Sequence, residues 1–230
     1  MMILALDASG RTVSAAILQD GRVAASQMTG SSGGHSVTLM PMIQNMLSLT
    51  GLTARDADYI AVTTGPGSFT GLKIAAGAAK GLAHAAGAPI LRVPTLDALA
   101  YNIFNENAVI IPILDARRGQ VYAGFYKREG EGLTALCENA ALSFEGCLEK
   151  AAAYPEPKIF LGDAAELYAE RIRAAGAVCA DCAANFIDGA RLAILAGLRM
   201  DSCGYGELSL NYFRRPQAER EYLERMNGTV

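Results

Sequence analysis

The sequence predicts an α/β fold made of two related units. Three observations lead there. The first hundred or so residues run strand, strand, strand, helix, strand, helix, the order of an α/β unit whose first three strands are antiparallel. A looser copy of that order begins near Asn105. Each unit opens on a hairpin-rich set of strands, with no short tandem repeat and no low-complexity tract in either. The boundaries expected are 1–104 and 105–230, the second unit being the smaller. The helix over 188–200 is the candidate to cross back onto the first.

The front half gives the clearer signals. Ile3–Asp7 is a continuous apolar run ending in a carboxylate, the pattern of a buried strand. Val13–Leu18 and Arg22–Met28 are strands joined at Asp20-Gly21, a strong hairpin signal. Thr29–Gly34 is a polar loop rich in glycine and serine. Over His35–Leu52 the residues Leu39, Ile43, Met46 and Leu47 fall on one helical face. Pro41 must sit in the first turn or mark a kink, and Gly51 suits the stop. Tyr59–Thr63 is the next strand, then a glycine loop, then a helix to about Ala86. Pro89–Val93 is a further buried strand. Thr95 can cap a short helix over Leu96–Phe104, with Asp97 in its first turn.

In the back half, Val109–Leu114 is a strand and Gln120–Tyr126 alternates as its partner. Leu133–Leu136 adds a third. Ser143–Ala153 has a helical pattern, Ile159–Leu161 is a short strand, and Ala164–Ala175 is a helix. Ala177–Cys179 is a last strand and Asp188–Met200 a last helix. The tail from Asn211 has the composition of a loop.

Composition narrows the function classes. The chain has 230 residues, 51% of them hydrophobic, enough for one large or two small cores. No apolar run approaches the roughly 20 residues of a membrane helix, and MMILALDASG has neither a basic leader nor a cleavage site. A cytoplasmic protein without membrane attachment is expected. The net charge of −3 is a poor basis for gripping nucleic acid unaided, since neutralising phosphates needs a concentrated basic surface. Arg117-Arg118 and the tail arginines Arg214, Arg215 and Arg220 form the only basic clusters. Five cysteines at irregular spacing argue for reduced thiols. Cys179 and Cys182 make a CxxC, but they have neither a thioredoxin-like context nor two further zinc ligands nearby.

The segment Gly65-Pro66-Gly67-Ser68-Phe69-Thr70-Gly71 lies between a strand and a helix. Its glycines permit positive φ and close backbone approach, Ser68 or Thr70 can cap the helix, and a helix N-terminus attracts anions. One reading is a phosphate cradle, the other a tight turn that binds nothing. It is neither a Walker loop nor a dinucleotide fingerprint, because the lysine of the one and the distal acid of the other are missing. The following helix holds Gly77 and Gly81 on one face among many alanines. A helical glycine costs about 1 kcal/mol relative to alanine. The smooth face therefore serves either close packing inside the chain or an interface with another subunit. Met40, Met42 and Met46 on the preceding helix suit core filling or an adaptable contact surface.

Taken together, LALDAS at Leu4–Ser9, His35-Ser36, LMPMI at Leu39–Ile43, GPGSFTGLKI at Gly65–Ile74, DARRGQVYAGFY at Asp115–Tyr126 and YFRRPQAER at Tyr212–Arg220 resemble the TsaB (YeaZ) family. The resemblance implies a duplicated actin-like (ASKHA, ribonuclease H-like) fold. It implies a non-catalytic subunit in the formation of N6-threonylcarbamoyladenosine at position 37 of tRNAs that read ANN codons. The partners implied are the catalytic paralogue TsaD and the ATPase TsaE, with TsaC supplying the activated threonylcarbamoyl group and tRNA met only through the complex. An exposed apolar helix pair also favours a homodimer when TsaD is absent.

Within that resemblance, the catalytic paralogue's metal-binding histidines correspond to Thr95 and Leu99 here, and the only histidines are His35 and His84. Imidazoles at helical spacing are what such a metal site needs, so no metal site and no catalytic residue are expected. Asp7, Ser9, Gly65, Gly67, Ser68 and Gly71 are the candidates for a vestigial phosphate loop. No cofactor is required by the isolated chain, and ATP or ADP is expected only at a subunit interface. The interface residues expected are His35, Met40, Met46, Lys73, Gly77, Lys80 and Gly81. Val37 replaces a glutamate of the family pattern and Lys73 an arginine, which keeps the charge without the planar fork. An autonomous actin-like ATPase or kinase is the alternative, motivated by Asp7. A glycoprotease-like peptidase is a remote one, because Ser36 beside His35 is sequence adjacency and not a dyad.

Overall fold

The computed structural model describes residues 1–30 and 34–211. The tail motif over 212–220, with Arg214, Arg215 and Arg220, lies outside the described residues.

The first sheet is built on β1 (Met2–Asp7), every residue of which is buried. It pairs antiparallel with β2 (Thr12–Gln19) and parallel with β4 (Tyr59–Thr63), so that Ala5 faces Ala16 on one side and Ala61 on the other. A central strand covered on both faces must be apolar throughout, and MILALD is apolar up to its last residue. The hairpin to β3 (Arg22–Gly30) turns at Asp20 and Gly21, with φ of 50° and 76°, the mirror-image turn that suits the twist of paired strands. The sheet continues from β4 to β5 (Ile90–Val93) and ends in β13 (Ser202–Cys203). One side is covered by α1 (His35–Thr50) and α2 (Phe69–Ala86). Gly51 closes α1 and Gly87 closes α2, both in the left-handed conformation. Pro41 lies in the second turn of α1 and not the first, so the carbonyl of Val37 loses its helical donor.

The second sheet repeats this plan. Its order is β10 (Ala140–Ser143), β7 (Gln120–Ala123), β6 (Val109–Arg117), β11 (Lys158–Leu161), β12 (Val178–Cys179). β6 pairs antiparallel with β7 and parallel with β11, as β1 does with β2 and β4. The hairpin β8 (Tyr126–Glu129) and β9 (Gly132–Ala135) branches from β6. On this sheet lie α4 (Phe144–Ala152), α5 (Asp163–Leu167) and α6 (Ala169–Ala174).

Several expectations are corrected. Gln120–Tyr126 is two strands, broken at Gly124-Phe125, and β10 and β13 carried no alternation to reveal them. The helix expected over Ala164–Ala175 is two, separated at Tyr168, whose ring stacks on Phe144 with centroids 3.9 Å apart. Thr95 does not cap α3 (Thr95–Ala100) but is its first residue. Its hydroxyl accepts from the Gly65 amide at 3.1 Å.

Two helices join the units. α3 follows β5 yet packs on β6 of the second sheet, while α7 (Gly189–Arg199) follows β12 and packs on the first sheet. Asp188 caps α7 by accepting from Ala190 and Arg191. Gly189 lets the helix start close against β2, since a Cβ there would sit 2.7 Å from the Ala15 carbonyl carbon. One apolar cluster spans both sheets and both helices: Ile3, Ala5 and Leu91 meet Leu96 and Leu99, Ile110 and Leu161, and Leu192 and Leu195.

Candidate functional site

The cleft between the units lies at the carboxyl ends of β1 and β6, where open α/β sheets commonly place ligands. It is walled by Asp7, Ser9, Gly10, Arg11 and Thr12 from the first unit, by Thr95 and Leu99 of α3, and by Leu114, Asp163, Asn185, Phe186 and Ile187. The cavity measures about 20 Å³. That is room for roughly one water and far below the several hundred Å³ typical of small-molecule sites.

Asp7 is completely buried. Its Oδ1 accepts from the Ser9 amide at 3.1 Å and from the Thr63 hydroxyl at 2.5 Å, while Oδ2 is buried without a protein partner among the described residues. Burial pushes its pKa up, opposed by the donors at Ser9 and Thr63. Asp163, the first residue of α5, reaches the same cavity from the second unit. Its Oδ1 accepts from the Asp115 amide at 2.9 Å, and burial raises its pKa too, opposed by that amide and by the charge of Arg11. A fully buried and a partly buried carboxylate are thus brought to one small cavity. Sequence reasoning found Asp7, the last residue of an apolar strand, and missed Asp163, which opens a helix just past a short one.

An Asp7→Asn substitution removes the buried charge. A folded-state pKa raised above the unfolded value means the ionised form opposes folding, fully above the folded pKa and not at all below the unfolded one. Asp7→Asn is therefore expected to gain stability relative to the parent chain as pH rises through the raised pKa towards 8. The gain should shrink as pH falls through the raised pKa towards the ordinary carboxylate range. Urea unfolding of both proteins across a pH series measures it, and a pH-independent difference would contradict the assignment.

The glycine loop is packed against the first turn. The Ser68 amide donates to the Ser9 carbonyl at 2.7 Å, the Gly71 amide to the Ser68 hydroxyl at 3.3 Å, and the Thr95 amide to the Gly65 carbonyl at 2.9 Å. A Cβ at Gly71 would lie 1.8 Å from the Ala8 carbonyl oxygen, and one at Gly67 2.5 Å from that of Ser9. The amides at Ser68 and Gly71 are therefore engaged within the chain, and backbone carbonyls lie close over this end of α2. The loop is thus a tight strand-to-helix turn closed on the first turn of the chain.

On α2 the small residues divide by face. Ala75, Ala76, Ala79 and Ala83 are buried against the chain's own core, with Gly71 and Leu72. Gly77 and Gly81 point outward, and a Cβ at either would meet nothing within 4 Å. Lys73 is exposed with its ammonium 4.1 Å above the Phe69 ring, and Lys80 is half-buried. On α1 Met40 is exposed, as is Val37 one turn before it. Met46 is a correction: it is wholly buried with Met42 and Ile43 in the first core and cannot meet a partner. His35 is half-buried, its Nε2 2.9 Å from the Gly10 carbonyl, so it braces the cleft loop. Next to the exposed face runs an apolar groove lined by Met40, Pro41, Ile43, Leu47, Leu52 and Leu82. Among the described residues no helix is long and apolar enough to cross a membrane.

Comparison with known proteins agrees with this geometry. Residues 26–197 match the family model of TsaD, tRNA N6-adenosine threonylcarbamoyltransferase. The tRNA threonylcarbamoyladenosine biosynthesis protein TsaB of Bacillus subtilis is 36% identical over 172 residues, 75% of each chain. The protein of the same name from Escherichia coli K12 is 36% identical over 58% of each chain. A crystal structure described as an uncharacterised protein with similarity to peptidase YEAZ, from Pseudomonas aeruginosa, is 30% identical and covers 93% of this chain and 99% of its own, with a TM-score of 0.80. The ROK hexokinase of Thermus thermophilus, at 12% identity and a TM-score of 0.50 over 87% of this chain and 99% of its own, shares the fold alone, which is actin-like. With a curated relative of this identity aligned over three quarters of both lengths, the chain belongs to the TsaB (YeaZ) family.

Proposed function

We propose that this chain is a non-catalytic scaffold subunit in tRNA threonylcarbamoyladenosine biosynthesis, acting by docking a TsaD-like catalytic paralogue through the outer face of α1 and α2. The observation that carries the docking reading is the pair of outward glycines on α2. Each costs the helix about 1 kcal/mol against alanine, yet neither accommodates anything within the chain. A bare backbone facing outward, beside exposed Met40 and an apolar groove, suits close approach by a second helix. The family's partners bring in TsaE and the TsaC product, tRNAs reading ANN codons as the target, and a homodimer through the same face when TsaD is absent. The chain then works in the cytoplasm and meets tRNA only through the complex.

The non-catalytic reading draws on how the positions of the paralogue's metal ligands are used. Thr95 pins the glycine loop and Leu99 is packed in the interunit core. The two histidines are apart, His35 at the Gly10 carbonyl and His84 against the Tyr205 ring. An autonomous ATPase remains the second reading because of the unpartnered oxygen of Asp7, and the cavity of about 20 Å³ weighs against it. Expression of the chain in bacteria depleted of their own TsaB decides the matter. Restored threonylcarbamoyladenosine in tRNA hydrolysates, read by mass spectrometry, is expected. Soluble protein without restoration would overturn the proposal, and turnover of Mg-ATP by the isolated chain would favour the second reading.

A further inference from the structure

Neither apolar face nor cleft explains a buried polar cluster on the far side of α3. Thr95 and Leu99, four residues apart, line the cleft. Asp97, between them, points the other way. It is nearly buried, and its Oδ2 is ion-paired with Nη1 of Arg199 at the end of α7. Its Oδ1 accepts from the Tyr126 hydroxyl at 2.6 Å and lies 3.3 Å from the Asn139 amide nitrogen. The Asn139 side chain is also 2.7 Å from the Tyr126 hydroxyl. Tyr126 is fully buried, and its phenol is pushed far up by burial and by the charge of Asp97. Gly124 makes the room, since a Cβ there would come within 2.4 Å of the Tyr126 ring and 2.5 Å of Asn139.

The placement matters more than the pairing. α3 belongs to the first unit in sequence and packs on the second sheet, while α7 does the reverse. Asp97 and Arg199 thus tie together the two helices that cross between the units. Separating the sheets to open the cleft would have to pull these helices apart or strip a buried carboxylate of its cation, which is costly. Past Arg199 the chain is anchored again: the Asp201 carbonyl accepts from the Arg92 amide at 2.8 Å and its carboxylate from the Arg92 guanidinium at 2.6 Å. From Asp97 the connection also runs back through Thr95 to Gly65 and so to the start of α2.

We propose that Asp97, Arg199, Tyr126 and Asn139 form a clasp that holds the two units closed over the small cavity. The clasp is distinct from the docking face and does not depend on which partner that face binds.

Hydrogen exchange tests it. The Ser9, Asp115 and Gly162 amides donate to the side chains of Asp7, Asp163 and Asn185 in the cavity wall, away from Asp97. In Arg199→Met and Asp97→Asn these amides are expected to exchange at least about tenfold faster, while amides in the β1–β4 ladder keep their protection. Arg199→Lys should fall between these variants and the parent chain. Unchanged exchange at the cavity wall would overturn the clasp. So would a rise shared equally by β1 and β4, which would mark a contribution to general stability only. Should Asp97→Asn fail to fold, Arg199→Met, whose side chain is partly solvent-exposed, carries the test.

Discussion

Gly71→Ala is expected to destabilise the chain by about 3 kcal/mol or more, the upper end of overpacking costs. The added Cβ would lie 1.8 Å from the Ala8 carbonyl oxygen and 3.0 Å from its carbon. No rotamer change relieves that overlap, because the obstacle is backbone. Ala8 follows directly on β1, which is fixed between β2 and β4. Either α2 moves away from the first sheet, uncovering Leu72 and Ala75, or the end of β1 shifts and with it Asp7. For a chain of this length, 3 kcal/mol corresponds to a fall in Tm of roughly 6–12 °C. Differential scanning calorimetry measures it. Gly77→Ala is the matched control: it lies on the same helix with nothing within 4 Å, and should raise stability by about 0.5–1 kcal/mol. A Gly71→Ala protein as stable as the parent would mean that the close approach of the loop to Ala8 is misplaced.

The contrast between these glycines shows what the sequence could and could not disclose. Both stand in one Gly/Ala-rich run, and spacing alone left internal packing and partner contact open. The fold separates them, because the face carrying Gly71, Ala75 and Ala79 is buried and the face carrying Gly77 and Gly81 is exposed. Met40 and Met46 divide likewise. Helical spacing put Met46 on the face of Leu39 and Ile43, and that face is the core.

Local signals carried the first unit: Asp20-Gly21 for the hairpin, Gly51 for the end of α1, Ser68 for the cap of α2. The second unit was less legible because its cues are short or irregular. β10 is four partly exposed residues without alternation. The break at Gly124 exists to fit Tyr126 and Asn139, which no local pattern foretells. Asp7 and Asp163, and Asp97 and Arg199, are each far apart in sequence, and only the topology brings them together.

Gly77→Trp is expected to weaken binding of a TsaD-like paralogue about a hundredfold, near 2.7 kcal/mol, while leaving the isolated chain folded. The structure separates the two effects. Within the chain the new side chain meets open space at Gly77, so folding loses no packing. At a docked face it would hold apart two helices whose close approach the bare backbone permits. Lys73, one turn earlier, is held over Phe69 and stays available as a charged neighbour in either case. Gly81→Trp, one turn later on the same face, should act in the same direction. Titration calorimetry against the purified paralogue, with thermal unfolding of each variant alone, reads both quantities. Affinity that survives both tryptophans would place the partner elsewhere on the surface, and the outward glycines would then have no explanation in docking. Lost affinity together with lost stability would assign them to the fold, contrary to the open space around them. Weakened affinity at unchanged stability is the outcome that identifies the outer face of α2 as the surface this chain offers to its complex.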